Sequence, residues 1–177
     1  MVMCGVLIEE EQEGTLKALG VKDSKQLTAN NREALVEAIE KTSKNFVIIH
    51  SDPKEIDAHV LSENSNLNKL EVLKTAEIIN TLKPDRAYVD CPSNNIPAYT
   101  KELMSLLDDK KIDLICAHKA DVQYVSVGAA SILAKVARDD AIEKLKEKIG
   151  MNFGSGYPAD PVTVSFLKQK YKDFPEI

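Results

Sequence analysis

The sequence is poor in features that would place it quickly. Its three cysteines, Cys4, Cys91 and Cys116, are odd in number, far apart and never in a CxxC pair. That sets aside a disulfide framework or a zinc site and fits reduced thiols. No apolar run approaches the roughly 18 residues that a membrane-spanning helix requires. Residues 1–8 run directly into acids rather than a cleavage region, so no signal peptide is expected and the chain reads as soluble and cytoplasmic. Basic residues are not in excess: 23 Lys and Arg face 28 Asp and Glu, for a formal net charge of -5. This argues against coating nucleic acid by bulk charge, although a local basic groove stays open. No GxGxxG or P-loop stretch is present, which disfavours a nucleotide-cradling enzyme on a doubly wound sheet. His50, His59 and His118 show no HxxxH spacing and are assigned no metal or triad role. Internal repeats and low-complexity tracts are absent as well.

What is present is an ordinary globular composition: 177 residues, 44% hydrophobic and 29% charged, enough for one domain with a substantial core. Apolar or β-branched runs predict strands over 2–8, 46–50, 86–90 and 111–116. Helical spacing predicts a short helix over 15–19 after an acidic turn at 9–13. Longer helices are expected over 29–41 with Thr28 as N-cap, from 53 with Ile56 and Val60 inward, over 66–82 with Leu67, Leu70, Leu73, Ala76 and Ile79 as its apolar stripe, and over 96–107. The stretch from 117 to about 148 reads as one long small-residue helix closed by Gly150, and a last helix covers 162–171. Alternating strands and helices indicate an α/β fold with a mixed sheet.

Several residues could carry chemistry. Asp90 ends a strand and Asp121 follows another, and ligands of open α/β sheets gather outside strand ends. Asp90 could equally be a turn-initiating Asp. Ser24 and Lys25 could hold a phosphate or lie in a solvated loop. Lys135 and Arg138, three apart, share a helix face. Tyr157, between Gly156 and Pro158, could stack on a sugar or base, or cover helix ends.

In order, the segments VKDSKQLT (21–28), SNLNKLE (65–71), YVD (88–90), AHKAD (117–121), AASILAKVARD (129–139) and GSGYPADP (154–161) resemble type 2 ribonuclease H, ribonuclease HII, in its archaeal form. The resemblance covers the whole chain and implies a ribonuclease H-like mixed sheet flanked by helices. It implies endonucleolytic cleavage of the RNA strand of RNA–DNA hybrids, single ribonucleotides in duplex DNA included, as used in DNA replication and repair. Four carboxylates and Mg2+ or Mn2+ do this work in the family, and a monomer is implied. Asp90 matches the third carboxylate and Asp121 the fourth. Lys25 of the DSK loop and Lys135 match positions near phosphates, with Ser24 beside Lys25 counted as nucleic-acid-binding, and Tyr157 matches the tyrosine beside the scissile sugar.

The sequence also departs from the pattern. The family begins with a strand bearing Asp-Glu, followed by Ala-Gly-Arg-Gly, which lies between its second and fourth strands. Here MVMCGVLI aligns with the second strand, so the central strand and two carboxylates are expected to be missing. The chain is thus expected to be a single domain over 1–177, truncated at the N-terminus and, at FPEI, at the C-terminus. Gly128 stands where the archaeal form usually has Ser. A hybrid-cleaving nuclease impaired by this loss is the favoured function. A non-catalytic hybrid-binding module is the alternative.

Overall fold

The computed structural model describes residues 1–21 and 29–174. The chain divides into two compact units, Met1–Val136 and Ala137–Ile177. Among the described residues, no helix is long and apolar enough to cross a membrane.

The first unit opens with the expected apolar strand, β1 (Val2–Leu7), paired antiparallel with β2 (Asn45–His50). Helices α1 (Gln12–Ala18) and α2 (Ala29–Thr42) connect them. The first of these starts earlier than its apolar content predicts. The Gln12 and Glu13 amides already donate to the Glu9 and Glu10 carbonyls, at 2.9 and 3.2 Å, so the acidic run enters the helix. Acids suit a helix N-terminus, where the backbone dipole is positive. Gly20, at φ 79°, ends it. The expected N-cap Thr28 lies outside the described residues.

Beyond β2, α3 (Pro53–Val60) is capped by Asp52, whose side chain accepts the Glu55 amide at 2.8 Å. No residue of α3 is buried, and Val60 is 53% exposed, so the expected inward Val60 is wrong. The next helix, α4 (Leu67–Leu82), begins at the N-cap Asn66. Leu67 and Leu73, expected in its buried stripe, are 40% and 44% exposed, while Val72, Thr75 and Ile78 turn inward. A stripe stepped mostly by three drifts around a helix of 3.6 residues per turn.

The remaining strands are β3 (Arg86–Asp90) and β4 (Asp113–Ala117), joined through α5 (Ile96–Leu106) and paired in parallel, with Asp90 opposite Ala117. The long helix expected from 117 is interrupted. A short α6 (Ala120–Gln123) comes first, Tyr124 is extended, and α7 (Val125–Ile149) follows.

The architecture is the expected helix-flanked mixed α/β arrangement, and among the described residues its strands form two separate two-stranded sheets, β1–β2 and β3–β4. Two cores match them. Leu16, Ile39, Val125, Ala129, Ile132 and Leu133 cover one face of β1–β2. Val72, Ala76 and Ile79 of α4 join Leu103 of α5 against Ala87 and Val89 of β3. Between β1 and β3 lies a slot of about 840 Å³. Both strands line it along their length, with Thr75, Ile78 and Leu82 of α4 and Ala130, Ser131 and Ala134 of α7 completing its walls. The break falls between the strands that the resemblance expects a central strand to separate.

The second unit contains the later part of α7, Gly150 in a left-handed conformation (φ 71°), and α8 (Pro161–Lys170) with Asp160 as N-cap.

Packing at Gly5 gives a stability test. A Cβ there would sit 2.2 Å from Ile78 Cγ2, whereas one at Gly14 would meet nothing within 4 Å. Gly5→Val is expected to destabilise the protein by about 1–3 kcal/mol through overpacking. Gly14→Ala, in the exposed interior of α1, is expected to stabilise it by roughly 0.5–1 kcal/mol. Urea denaturation of the two variants checks both signs.

Candidate active site

The site is built where the parallel pair β3–β4 ends. β3 delivers Asp90 at its last position, and β4 stops opposite it at Ala117. The chain then turns through His118 and Lys119, the latter in the left-handed region at φ 55°. Lys119 makes no side-chain cap for α6. Instead Asp90 Oδ1 accepts the Ala120 amide hydrogen at 3.0 Å. The strand-end carboxylate therefore caps the helix that carries Asp121, which is only 6% exposed.

Three further contacts hold this turn. His118 Nδ1 lies 3.1 Å from the Cys91 carbonyl oxygen, and Gln123 Nε2 donates to the His118 carbonyl at 2.8 Å. The Tyr88 and Tyr124 rings stack with centroids 4.0 Å apart and planes inclined by 19°. Tyr88 lies two residues before Asp90 and so projects from the same face of β3. The stack clasps the junction of α6 and α7 to the strand bearing Asp90.

Asp90 and Asp121 both line one slot. Carboxylate oxygens are hard donors that suit Mg2+ or Mn2+, ions that usually keep several waters. The pair fits such an ion as part of a ligand set. Among the described residues, no group of three or more His, Cys, Asp or Glu stands close enough to hold a metal. The thiols offer no alternative. Burial pushes Cys4 up to about 12 and also raises Cys91 and Cys116, which keeps them protonated and unreactive.

The other expected residues are dispersed. Lys135 is half-buried on α7 in the first unit and is absent from the slot lining. Tyr157 belongs to the second unit and is 45% exposed, with the Arg138 guanidinium 3.8 Å from its ring centroid. Ser24 and Lys25 lie outside the described residues.

Tyr157 is carried on a loop organised by Asp160. Its Oδ2 accepts the Ser155 amide at 2.6 Å and the Ser155 hydroxyl at 2.7 Å, and its Oδ1 accepts the Val162 amide at 2.9 Å. These bonds, the Ser155 amide foremost, hold the Asp160 carboxyl at about 2, below its usual 3.8. Gly154 has φ 82°, and a Cβ there would meet Asp160 Oδ2 at 2.5 Å, so glycine is required. Thr163 Oγ1 closes the loop, accepting the Gly156 amide and donating to the Phe153 carbonyl, both at 2.9 Å.

The helix-flanked α/β arrangement that carries these carboxylates is ribonuclease H-like, as in the solved structures below. The chain belongs to the ribonuclease HII family, metal-dependent endoribonucleases, whose family model matches residues 1–177. A relative from Methanocella arvoryzae named ribonuclease HII is 43% identical over 171 residues, covering 97% of this chain and 75% of its own. Ribonuclease HII from Archaeoglobus fulgidus, solved in complex with PCNA, superposes with a TM-score of 0.86 at 39% identity, covering 99% of this chain and 81% of that one. Ribonuclease H2 from Pyrococcus horikoshii OT3 gives a TM-score of 0.84 at 35% identity, covering 100% and 90%.

The supporting contacts escaped sequence reasoning. Nothing in the local sequence pairs Tyr88 with Tyr124, or Arg138 with Tyr157. The Asp90 cap spans 30 residues.

Two experiments test these supports. Tyr124→Leu is expected to cost about 1 kcal/mol through the lost stack, with Tyr124→Phe nearly neutral, read by urea denaturation. For Asp160, the folded-state value lies below the ordinary one. Its contribution is therefore present above about pH 4 and lost as pH falls through about 2. The protection factor of the Ser155 amide, followed by NMR hydrogen exchange during acid titration, is expected to fall in that window and to be low at all pH values in Asp160→Ala.

Proposed function

We propose that this chain is built to hydrolyse the RNA strand of RNA–DNA hybrids, including single ribonucleotides embedded in duplex DNA. We further propose that Asp90 and Asp121 are the metal-holding part of its site. The observation that carries this reading is the Asp90–Ala120 hydrogen bond in a chain of the ribonuclease HII family. It sets the helix bearing Asp121 against the strand end bearing Asp90, where both carboxylates face one slot.

Two-metal catalysis is the mode proposed. Mg2+ or Mn2+, when bound, supplies Lewis-acid polarisation and lowers the pKa of an attacking water. The residues of the chain do the rest. Asp90 and Asp121 hold negative charge where a cation and phosphate oxygens gather. Lys135, with Ser24 and Lys25 of the DSK loop, is proposed to bind backbone phosphates. Tyr157, backed by Arg138, is proposed to pack on the sugar beside the scissile step, where the 2′-hydroxyl distinguishes RNA from DNA.

The two carboxylates are half of the four that the resemblance implies. Little cleavage is therefore expected from the 177-residue chain with either metal on a duplex holding one ribonucleotide. Asp90→Asn and Asp121→Asn are each expected to remove what remains and to weaken Mn2+ binding measured by electron paramagnetic resonance. Robust cleavage that survives Asp90→Asn would overturn the assigned site. A chain that binds hybrid in a salt-dependent way, prefers it to DNA duplex and shows no cleavage would instead be a hybrid-binding module. Cytoplasmic location and a monomeric state accompany the nuclease reading.

A further inference from the structure

The turn between β4 and α6 holds a backbone conformation that its own residues do not favour. Lys119 lies in the left-handed region, at φ 55° and ψ 40°, where a residue with a Cβ is disfavoured. Among the described residues, Lys83 at φ 50° is the other non-glycine residue with positive φ. Lys83 ends α4, the usual place for a left-handed residue. Lys119 instead starts a helix, where extended backbone is usual. Asp52, Asn66 and Asp160 follow that usage, each extended and each capping its helix with its own side chain. Lys119 makes no such cap.

Strained backbone persists where its surroundings over-determine it. Here side chains hold both flanks of Lys119. On one flank, Asp90 Oδ1 accepts the Ala120 amide at 3.0 Å. On the other, Gln123 Nε2 donates to the His118 carbonyl at 2.8 Å and stands 3.5 Å from the Lys119 carbonyl oxygen. Both neighbours of the Gln123 amide are carbonyl oxygens, so its NH2 group and not its oxygen faces them. This latch closes α6 back onto the residue before Lys119, and the helix so held carries Asp121.

The two holds differ in what ion binding does to them. When Asp90 holds a cation, the carboxylate that receives the Ala120 amide is shared with the ion. Gln123 is uncharged, and its bond involves neither carboxylate. We propose that Gln123 is a positioning residue: it keeps the Lys119 turn left-handed, and so keeps Asp121 in place beside Asp90 while Asp90 is engaged by a cation. The inference rests on the reading of Asp90 and Asp121 as the metal-holding pair. Gln123 and Lys119 are both exposed, so water competes for the Gln123 amide. A neutral bond of this kind is worth about three- to tenfold in an equilibrium constant, enough to offset the strain of one left-handed residue.

The test uses the 177-residue chain and its Gln123→Met variant, which keeps the side-chain length and removes the donor. Lys119→Gly, alone and combined with Gln123→Met, removes the strain that the latch opposes. Protection of the Ala120 amide is measured by NMR hydrogen exchange in the metal-free proteins, and Mn2+ affinity by electron paramagnetic resonance. Gln123→Met is expected to lower both by about three- to tenfold. Adding Lys119→Gly is expected to restore both, because glycine takes the left-handed turn without strain. Unchanged Ala120 protection in Gln123→Met, unchanged Mn2+ affinity despite lost protection, or a loss that Lys119→Gly does not rescue would each overturn the proposal. Equal Mn2+ binding by the wild type and Asp90→Asn would overturn the metal reading, an outcome that the metal-free Ala120 pattern separates from failure of the latch.

Discussion

Helix α4 is the constraint on which the first unit depends. Among the described residues no ladder joins β1–β2 to β3–β4, so their association rests on side-chain packing across helices that touch both. Ile78 of α4 lies against Gly5 of β1, while Val72, Ala76 and Ile79 enter the core shared with Ala87 and Val89 of β3. A fully buried large aliphatic contributes about 1.5–3 kcal/mol, more than the net value of a typical hydrogen bond. A few such residues on one helix can therefore hold two short sheets that backbone pairing leaves apart. The same requirement explains why the inward face of α4 is broad and why its apolar stripe takes more than one line of residues.

The site depends on that scaffold through β3. Asp90 reaches its place because β3 is buried against α4 and α5, and Asp121 reaches its place because Asp90 accepts the Ala120 amide. A single carboxylate thus has two duties, capping a helix and presenting charge. The stacked tyrosines add a nonpolar clasp to the polar one. Loss of either would change how the two carboxylates face each other before it changed the fold.

The sequence carried the strands well, because uninterrupted apolar runs such as Val2–Leu7 have few other uses in a chain of this composition. It carried helix phase poorly. In α4, Leu73 looked buried by spacing and is exposed, because a repeated step of three drifts off the inward face. The interruption at Tyr124 was also hidden. No proline or glycine marks it, and its cause lies in Asp90 and Tyr88, residues far away in the sequence. Asp90 and Asp121 themselves were readable as strand-end acids, and the ordered motifs pointed to their family. Their mutual placement was not readable, since it comes from a hydrogen bond that only the fold creates.

The loop around Asp160 differs in kind from these cores. It is held by amide and hydroxyl donors gathered on one carboxylate, with Thr163 bridging Gly156 and Phe153. Burial of apolar surface dominates the heat capacity of unfolding and weakens on cooling. A loop ordered mainly by polar bonds has a small share of that term. The loop that displays Tyr157 is therefore expected to lose less of its order on cooling than the sheet cores do.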